Sequence, residues 1–240
     1  MSAVSIRIVD LCARFALPPA AAPAFERLLD LVSLEPIALT SVREPRRAVD
    51  VHLADSLAGL SLPVVREARD IADLGSGGGF PGLVLAIALP GARVVLVESV
   101  GKKAAFLGRA TADLGLANVE VVDERVEDWA AGRESVDLVT ARALATLPVV
   151  LEYGAPLLRA GGAVVAWKGR RDAAEEGAAA VAAEQLGLAR PVAEAVAVDL
   201  VPSADERHLY VSLKVAATPD RYPRRAGIAR KRPLGASGRG

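Results

Sequence analysis

Asp73-Leu74-Gly75-Ser76-Gly77-Gly78-Gly79-Phe80-Pro81-Gly82 is the stretch on which the fold turns. It follows a short apolar run and opens a longer one, so it reads as a tight strand-to-helix turn, with Pro81 near the first helical turn where its missing N–H costs nothing. Outward from it, short β-branched runs alternate with longer helical ones. The strands expected are 70–74, 93–98, 119–122, 136–140, 163–167, 192–199 and 208–215, and the helices 81–89, 101–115, 147–158 and 173–187. Such alternation implies a parallel sheet covered on both faces. Only the short polar segment Pro202 to Arg207 separates the last two strands, too little for a crossover helix, so they should be antiparallel. Before residue 69 the pattern is helical throughout. Val4, Ile8, Leu11 and Phe15, then Phe25, Leu28, Leu29 and Val32, then Val49, Leu53, Leu57 and Leu60, form three stripes at helical spacing. The reading is an α/β chain with a seven-stranded, mostly parallel sheet ending in an antiparallel hairpin. Residues 1–66 form a small helical cap, 67–216 the core and 217–240 a tail.

Five parallel strands followed by an antiparallel hairpin is the usual arrangement of the Rossmann-like S-adenosylmethionine-dependent methyltransferases. The glycine loop alone does not choose among NAD, FAD and S-adenosylmethionine. Its neighbours do more. Asp73 precedes Gly75, where a carboxylate would repel a pyrophosphate and attract a cationic cofactor. Glu98 ends the next strand, placed to accept ribose hydroxyls. Asp73, Gly75, Ser76, Gly77, Gly79 and Glu98 are therefore expected at a S-adenosylmethionine site. At Val126 and Glu127, after the third strand, a contact to adenine and a solvated acidic turn are equally good readings.

Methyl-acceptor chemistry falls at Thr140-Ala141-Arg142-Ala143 and Trp167-Lys168-Gly169-Arg170, after the fourth and fifth strands. No Asp/Asn-Pro-Pro-aromatic loop for amine methylation stands there. The single cysteine, Cys12, lies far away in the cap and reads as an apolar core residue rather than a nucleophile. One cysteine also excludes a disulfide framework and a cysteine-based metal site, and fits a reducing, cytosolic compartment. The N-terminus carries Asp10 and Arg14 within its apolar run and does not read as a secretory signal, and no apolar run is long enough to span a bilayer. What remains is an acceptor needing little proton chemistry. Guanine N7, with a free lone pair, is one, and Arg142 or Lys168 could meet its O6 or a phosphate.

The net charge of zero hides a distribution. Residues 221–240 carry seven basic groups and no acidic one, leaving the first 220 at 22 basic and 29 acidic, a net of −7. A basic, Pro/Gly-rich tail that cannot fold alone suggests a flexible grip on phosphates. Arg43, Arg46 and Arg47 form a second cluster at a helix start, where they oppose the dipole. The residues expected to face RNA are these three, Lys168, Arg221, Arg224, Arg225 and Lys231. His52 and Asp55, three apart on one helix, read first as a structural pair, with each other or with the cap–core junction, and second as a direct contact to RNA or to the reaction.

Several blocks together resemble one family. They are Leu39-Thr40-Ser41-Val42-Arg43, His52 with Asp55-Ser56, the glycine loop, Glu98-Ser99-Val100-Gly101-Lys102-Lys103 and Arg125-Val126-Glu127. Ala141-Arg142-Ala143, Trp167-Lys168-Gly169, Glu206-Arg207-His208-Leu209 and Arg221-Tyr222-Pro223-Arg224-Arg225 complete the set. The family is the ribosomal RNA small-subunit methyltransferase G family, also called glucose-inhibited division protein B, and the likeness runs from about residue 25 into the tail. It implies N7 methylation of guanosine 527 in the 530 loop of 16S rRNA, with S-adenosylmethionine as cofactor, 16S rRNA or the small subunit as partner, and no metal, membrane or obligate protein partner. It also implies cofactor contacts at Gly75, Phe80, Val126, Glu127 and Arg142, with Glu98 at the ribose. A methyltransferase of the same fold acting on a small molecule or another RNA site is the competing reading. The basic clusters argue against the small molecule.

Overall fold

The computed structural model describes residues 1–42, 44–202 and 206–236. Arg43 and Arg239 lie outside them.

The sheet contains β1 (Asp70–Leu74), β2 (Arg93–Val97), β3 (Val119–Val122), β4 (Val136–Arg142), β5 (Leu158–Lys168), β6 (Val192–Ala195) and β7 (His208–Leu213), in the order β3-β2-β1-β4-β5-β7-β6. β1 to β5 are parallel, and β7 runs antiparallel to both β5 and β6. The hairpin forms as expected, but its second strand is the one inserted next to β5. The sixth strand is shorter than expected. After Val196 the chain turns, with Leu200 N–H donating to Ala197 O, and sends Leu200 and Val201 into the core beside the N-terminal helices.

Alternate residues of each strand serve opposite faces, as the pleat requires. Ile71, Val94 and Leu96 join one apolar cluster, and Ala72, Leu74, Val95 and Val97 the other. The first face is covered by α6 (Gly82–Ala88) and α7 (Gly101–Asp113) together with α1 (Ala3–Arg14) and α2 (Ala21–Leu34). Ser2 caps α1 by accepting the Ser5 N–H, and the buried stripes Ile8–Leu11 and Phe25–Leu28–Val32 join the sheet core directly. Cys12 is half-buried against that core, and burial pushes its thiol up. The second face is covered by α8 (Leu147–Gly154), α9 (Ala173–Leu186) and α10 (Ile228–Lys231).

Residues 46–60, expected as one helical stripe, lie in a segment, 45–61, that changes pitch three times. α3 (Pro45–Ala48) gives way to a π-helix, Val49–Ala54, then α4 (Asp55–Leu57) and a 3-10 turn, Ala58–Ser61, before α5 (Pro63–Arg66). Wide turns of this kind cost hydrogen-bond geometry and recur at functional sites.

Residues 217–236 of the tail are not a loose arm. Tyr222 and Ala229 are buried, and Arg224 is held by Glu152 of α8. The segment finds its apolar surface on the core rather than within itself, which its composition alone does not reveal.

Candidate active-site cleft

The C-terminal ends of β1, β4 and β5 open into a cleft of about 560 Å³ between the core and the cap. Its walls are the glycine loop, the loop Leu39 to Val42, the π-turn residues Val51, His52 and Asp55, Arg142 with Ala143, Trp167 to Gly169, Lys103 and Arg207.

The glycine loop is fixed from below. Asp73 is buried, and its carboxylate accepts from Thr140 Oγ1 at 2.7 Å and from Gly82 N–H at 3.2 Å. Burial raises this carboxyl to about 6, against the lowering effect of those bonds. Asp73 thus holds β1 to β4 and to the start of α6. It does not line the cleft, contrary to the expectation that it faces the cofactor, because both its oxygens are turned into the sheet end. Glu98 accepts Gly77 N–H and Val100 N–H, one on each oxygen and both at 2.9 Å. Each oxygen keeps a second lone pair, so the residue can shape the loop and still accept a hydroxyl. Gly75 has φ +66°, and a Cβ there would lie 2.6 Å from Leu144 Cδ1, so only glycine serves. A Cβ on Gly77 would meet nothing nearer than Gly75 O at 3.7 Å, so the space above the loop belongs to the cleft. Open backbone, a carboxylate with spare lone pairs and a tight turn fit a ribose-bearing cofactor. Ser76 Oγ donates to Asp73 O, and Gly79 and Phe80 donate their N–H groups to Ser76 O within the turn.

Arg142 projects from the end of β4 into the junction with the cap. Its Nη1 donates to Asp55 Oδ2 at 2.9 Å and to Val51 O at 2.8 Å. The guanidinium lies 5.4 Å from the centre of the Phe80 ring. The π-turn makes this possible. Asp55 N–H reaches Asp50 O and His52 O, and the Val51 carbonyl between them takes the arginine. Asp55, only 2% exposed, also has Arg207 Nε 3.2 Å from its Oδ1, without hydrogen-bond alignment. Of the two structural pairings expected for His52 and Asp55, the one with each other does not form and the one at the cap–core junction does. His52 instead stacks on Phe80, with ring centres 4.4 Å apart and planes within 12°, and its Nε2 is hydrogen-bonded to Thr40 Oγ1 at 2.9 Å. Its Nδ1 is buried without a partner. Burial, then the charge of Arg142, lowers His52 to about 4. Trp167 closes the junction by donating Nε1–H to Asp55 O at 2.7 Å and by packing where a Cβ on Gly59 would sit.

Lys168 reaches the cleft but is paired with Glu175 at 2.6 Å. Val126 is buried beside the β3 end, and Glu127 accepts from Tyr153 OH and from Gly227 N–H of the tail, both at 2.9 Å. These two residues do not line the cleft. Arg46 and Arg47 are exposed, and Glu44 accepts both their backbone N–H groups as the cap of α3, a role the sequence reading passed over. Arg221, Arg225 and Lys231 are exposed. Arg224 is not open to a phosphate, being clamped on Glu152. Asp55, Thr40 and Arg207 were missed as site residues, although each lies in a sequence block that drew attention. Among the described residues no cluster suited to a metal ion occurs, and no helix is long and apolar enough to cross a membrane.

A profile of the family described as rRNA small subunit methyltransferase G matches residues 24–199, well over half the chain. The ribosomal RNA small subunit methyltransferase G of Rubrobacter xylanophilus is 47% identical over 203 residues, covering 82% of this chain and 77% of that one. The protein of the same name from Chloroflexus aggregans is 41% identical over 215 residues, covering 88% and 89%. Among solved structures, the fibrillarin pre-rRNA processing protein of Methanococcus jannaschii matches with a TM-score of 0.53 at 16% identity, over 68% of this chain and 74% of that one. That likeness is one of fold.

Proposed function

The chain belongs to the rRNA small subunit methyltransferase G family, and on that basis we propose that it transfers a methyl group from S-adenosylmethionine to N7 of guanosine 527 in the 530 loop of 16S rRNA. The observation that carries the acceptor chemistry is the state of the cleft's ionisable groups. Asp55 lies between two guanidinium groups, and Lys168 is engaged by Glu175. His52, lowered to about 4, is a poor proton acceptor at neutral pH. None is poised to abstract a proton. Guanine N7 has none to lose, so positioning and electrostatics suffice.

S-adenosylmethionine, when bound, supplies a methyl group on a sulfonium. The chain's part is to hold both reactants. The glycine loop and Glu98 receive the ribose side, with Val126 and Glu127 at the base and Asp73 fixing the turn from beneath. The stacked His52–Phe80 pair offers an aromatic face at the cleft, and Arg142, Arg207 and Lys168 give it positive charge. Arg46, Arg47, Arg221, Arg225 and Lys231 are the exposed cations for phosphate, with Arg43 a further candidate outside the described residues. Work on rRNA fits a cytosolic location.

The test is chemical strand scission at N7-methylguanosine in 16S rRNA, naked or in small subunits, with and without this protein and S-adenosylmethionine. The expected result is a protein-dependent break at guanosine 527. Scission only elsewhere would replace the site, and no transfer to either substrate would defeat the reading.

A further inference from the structure

We propose that residues 217–236 form a strap that positions two loops of the cofactor site, with Arg224 and Arg230 as its positioning residues. The inference rests on the cofactor reading above.

The strap begins with a buried charge. Glu152 is 0% exposed and is the lone charged residue of the otherwise apolar Leu147–Gly154 helix. A carboxylate in that position is strongly unfavourable unless paired and hydrogen-bonded. Arg224 supplies the partner, donating its backbone N–H at 3.0 Å and Nε at 2.8 Å to Oε1, and Nη2 to Oε2. The same Nη2 donates to Arg232 O at 2.8 Å, which closes the segment around α10. Tyr222 is 4% exposed, donates its hydroxyl to Gln185, and accepts from Arg133 at its carbonyl.

From these anchors α10 and its flank reach two loops. Gly227 N–H joins Tyr153 OH on Glu127 Oε1, after β3. Arg230 Nη2 donates to Leu144 O at 3.0 Å, after β4. Leu144 in turn lies against Gly75 of the glycine loop. Displacing α10 therefore removes one restraint from Glu127 and one from the backbone of Leu144, whose side chain backs Gly75. Arg221, Arg225 and Lys231 remain exposed on the same segment. One stretch thus carries buried groups that serve the cofactor and exposed cations suited to RNA, which ties the two affinities together. The strap lies beyond residues 24–199, the span matched by the family profile.

The experiment is calorimetric titration of the full chain with S-adenosylhomocysteine, without RNA. Arg224→Ala is expected to weaken binding about tenfold, and Arg230→Ala by a smaller factor in the same direction. An Arg232→Ala variant removes an exposed charge from the strap but no loop contact, and keeps the wild-type affinity. Arg224→Ala also unpairs Glu152, so a second measurement leaves the fold untouched. Amide exchange of 222–231 in the wild type slows when S-adenosylhomocysteine saturates the protein, because coupling between two sites is reciprocal. Exchange unchanged by ligand, or Arg224→Ala and Arg230→Ala both within about twofold of the wild type, overturns the strap. A wild type that does not bind S-adenosylhomocysteine overturns the cofactor reading and this inference with it. Failure to methylate guanosine 527 touches only the substrate.

Discussion

The two ends of the chain embrace the same edge of the sheet by opposite means. The cap turns its polar groups inward to the cleft, where Asp55 and His52 meet Arg142 and Phe80 from the core. The strap turns its polar groups away from the cleft, into Glu152 and Glu127 on the second face. In both, an arginine neutralises a buried carboxylate, yet the directions differ. In the cap the carboxylate comes from the added element and the arginine from the sheet; in the strap the roles are reversed. The cap pair therefore lines the cleft, and the strap pair sits away from it on a buried helix.

Removing the two arginines breaks this comparison most sharply. Arg142→Ala leaves a nearly inaccessible Asp55 with only the poorly aligned Arg207, and is expected to cost about 3–5 kcal/mol in urea unfolding together with the methyl-transfer rate. Arg224→Ala is expected to cost less, about 2 kcal/mol, because the released tail lets water reach Glu152. Equal losses would mean that the two clamps are energetically alike. Acid separates the regions next. His52 sits at about 4 when folded and near 6.5 unfolded, so the unfolded chain binds the extra proton between those values. The stability tied to its neutral form is full above pH 6.5 and falls as pH drops toward 4, by up to about 3 kcal/mol. His52→Phe keeps the stack on Phe80 and should flatten that part of the pH profile; an unchanged profile would place the acid sensitivity elsewhere. The smallest effect concerns the exposed cations. Replacing Arg46 and Arg47 by Ala should leave unfolding unchanged and lower the slope of log RNA affinity against log salt by about 0.7–0.9 per lost phosphate contact. An unchanged slope removes them from the RNA surface.

What could be read in the sequence divides along the same line. The glycine loop, the strand–helix alternation and the antiparallel end follow from local period and turn chemistry; Gly75 and Phe80 line the cleft, while Glu98 lies behind the loop on Gly77 N–H and does not. The π-turn does not follow, because its wide geometry is matched by Arg142, roughly ninety positions later in the chain. The ordered tail escaped for the same reason: its stabilising partner is a glutamate on another helix. Glu152, alone among apolar residues, was the available signal, since a lone charge on a buried helix demands a partner. Asp73 stands before the glycines, yet its carboxylate turns into the sheet end rather than the cleft. Spacing shows that a carboxylate stands before the glycines; only Thr140 and Gly82 show which way it points.

The sheet order carries a consequence for how the chain is made. Among the described residues β6 pairs with β7 alone, and β7 must slide between β5 and β6. As the polypeptide leaves the ribosome, β1 to β5 can zip together in turn, while β6 waits without a neighbour until residues 208–213 emerge. The strap comes later still, after residue 217. Synthesis from the N-terminus thus lets β1 to β5 assemble before the segment that bonds to Glu127 and to Leu144 O has emerged.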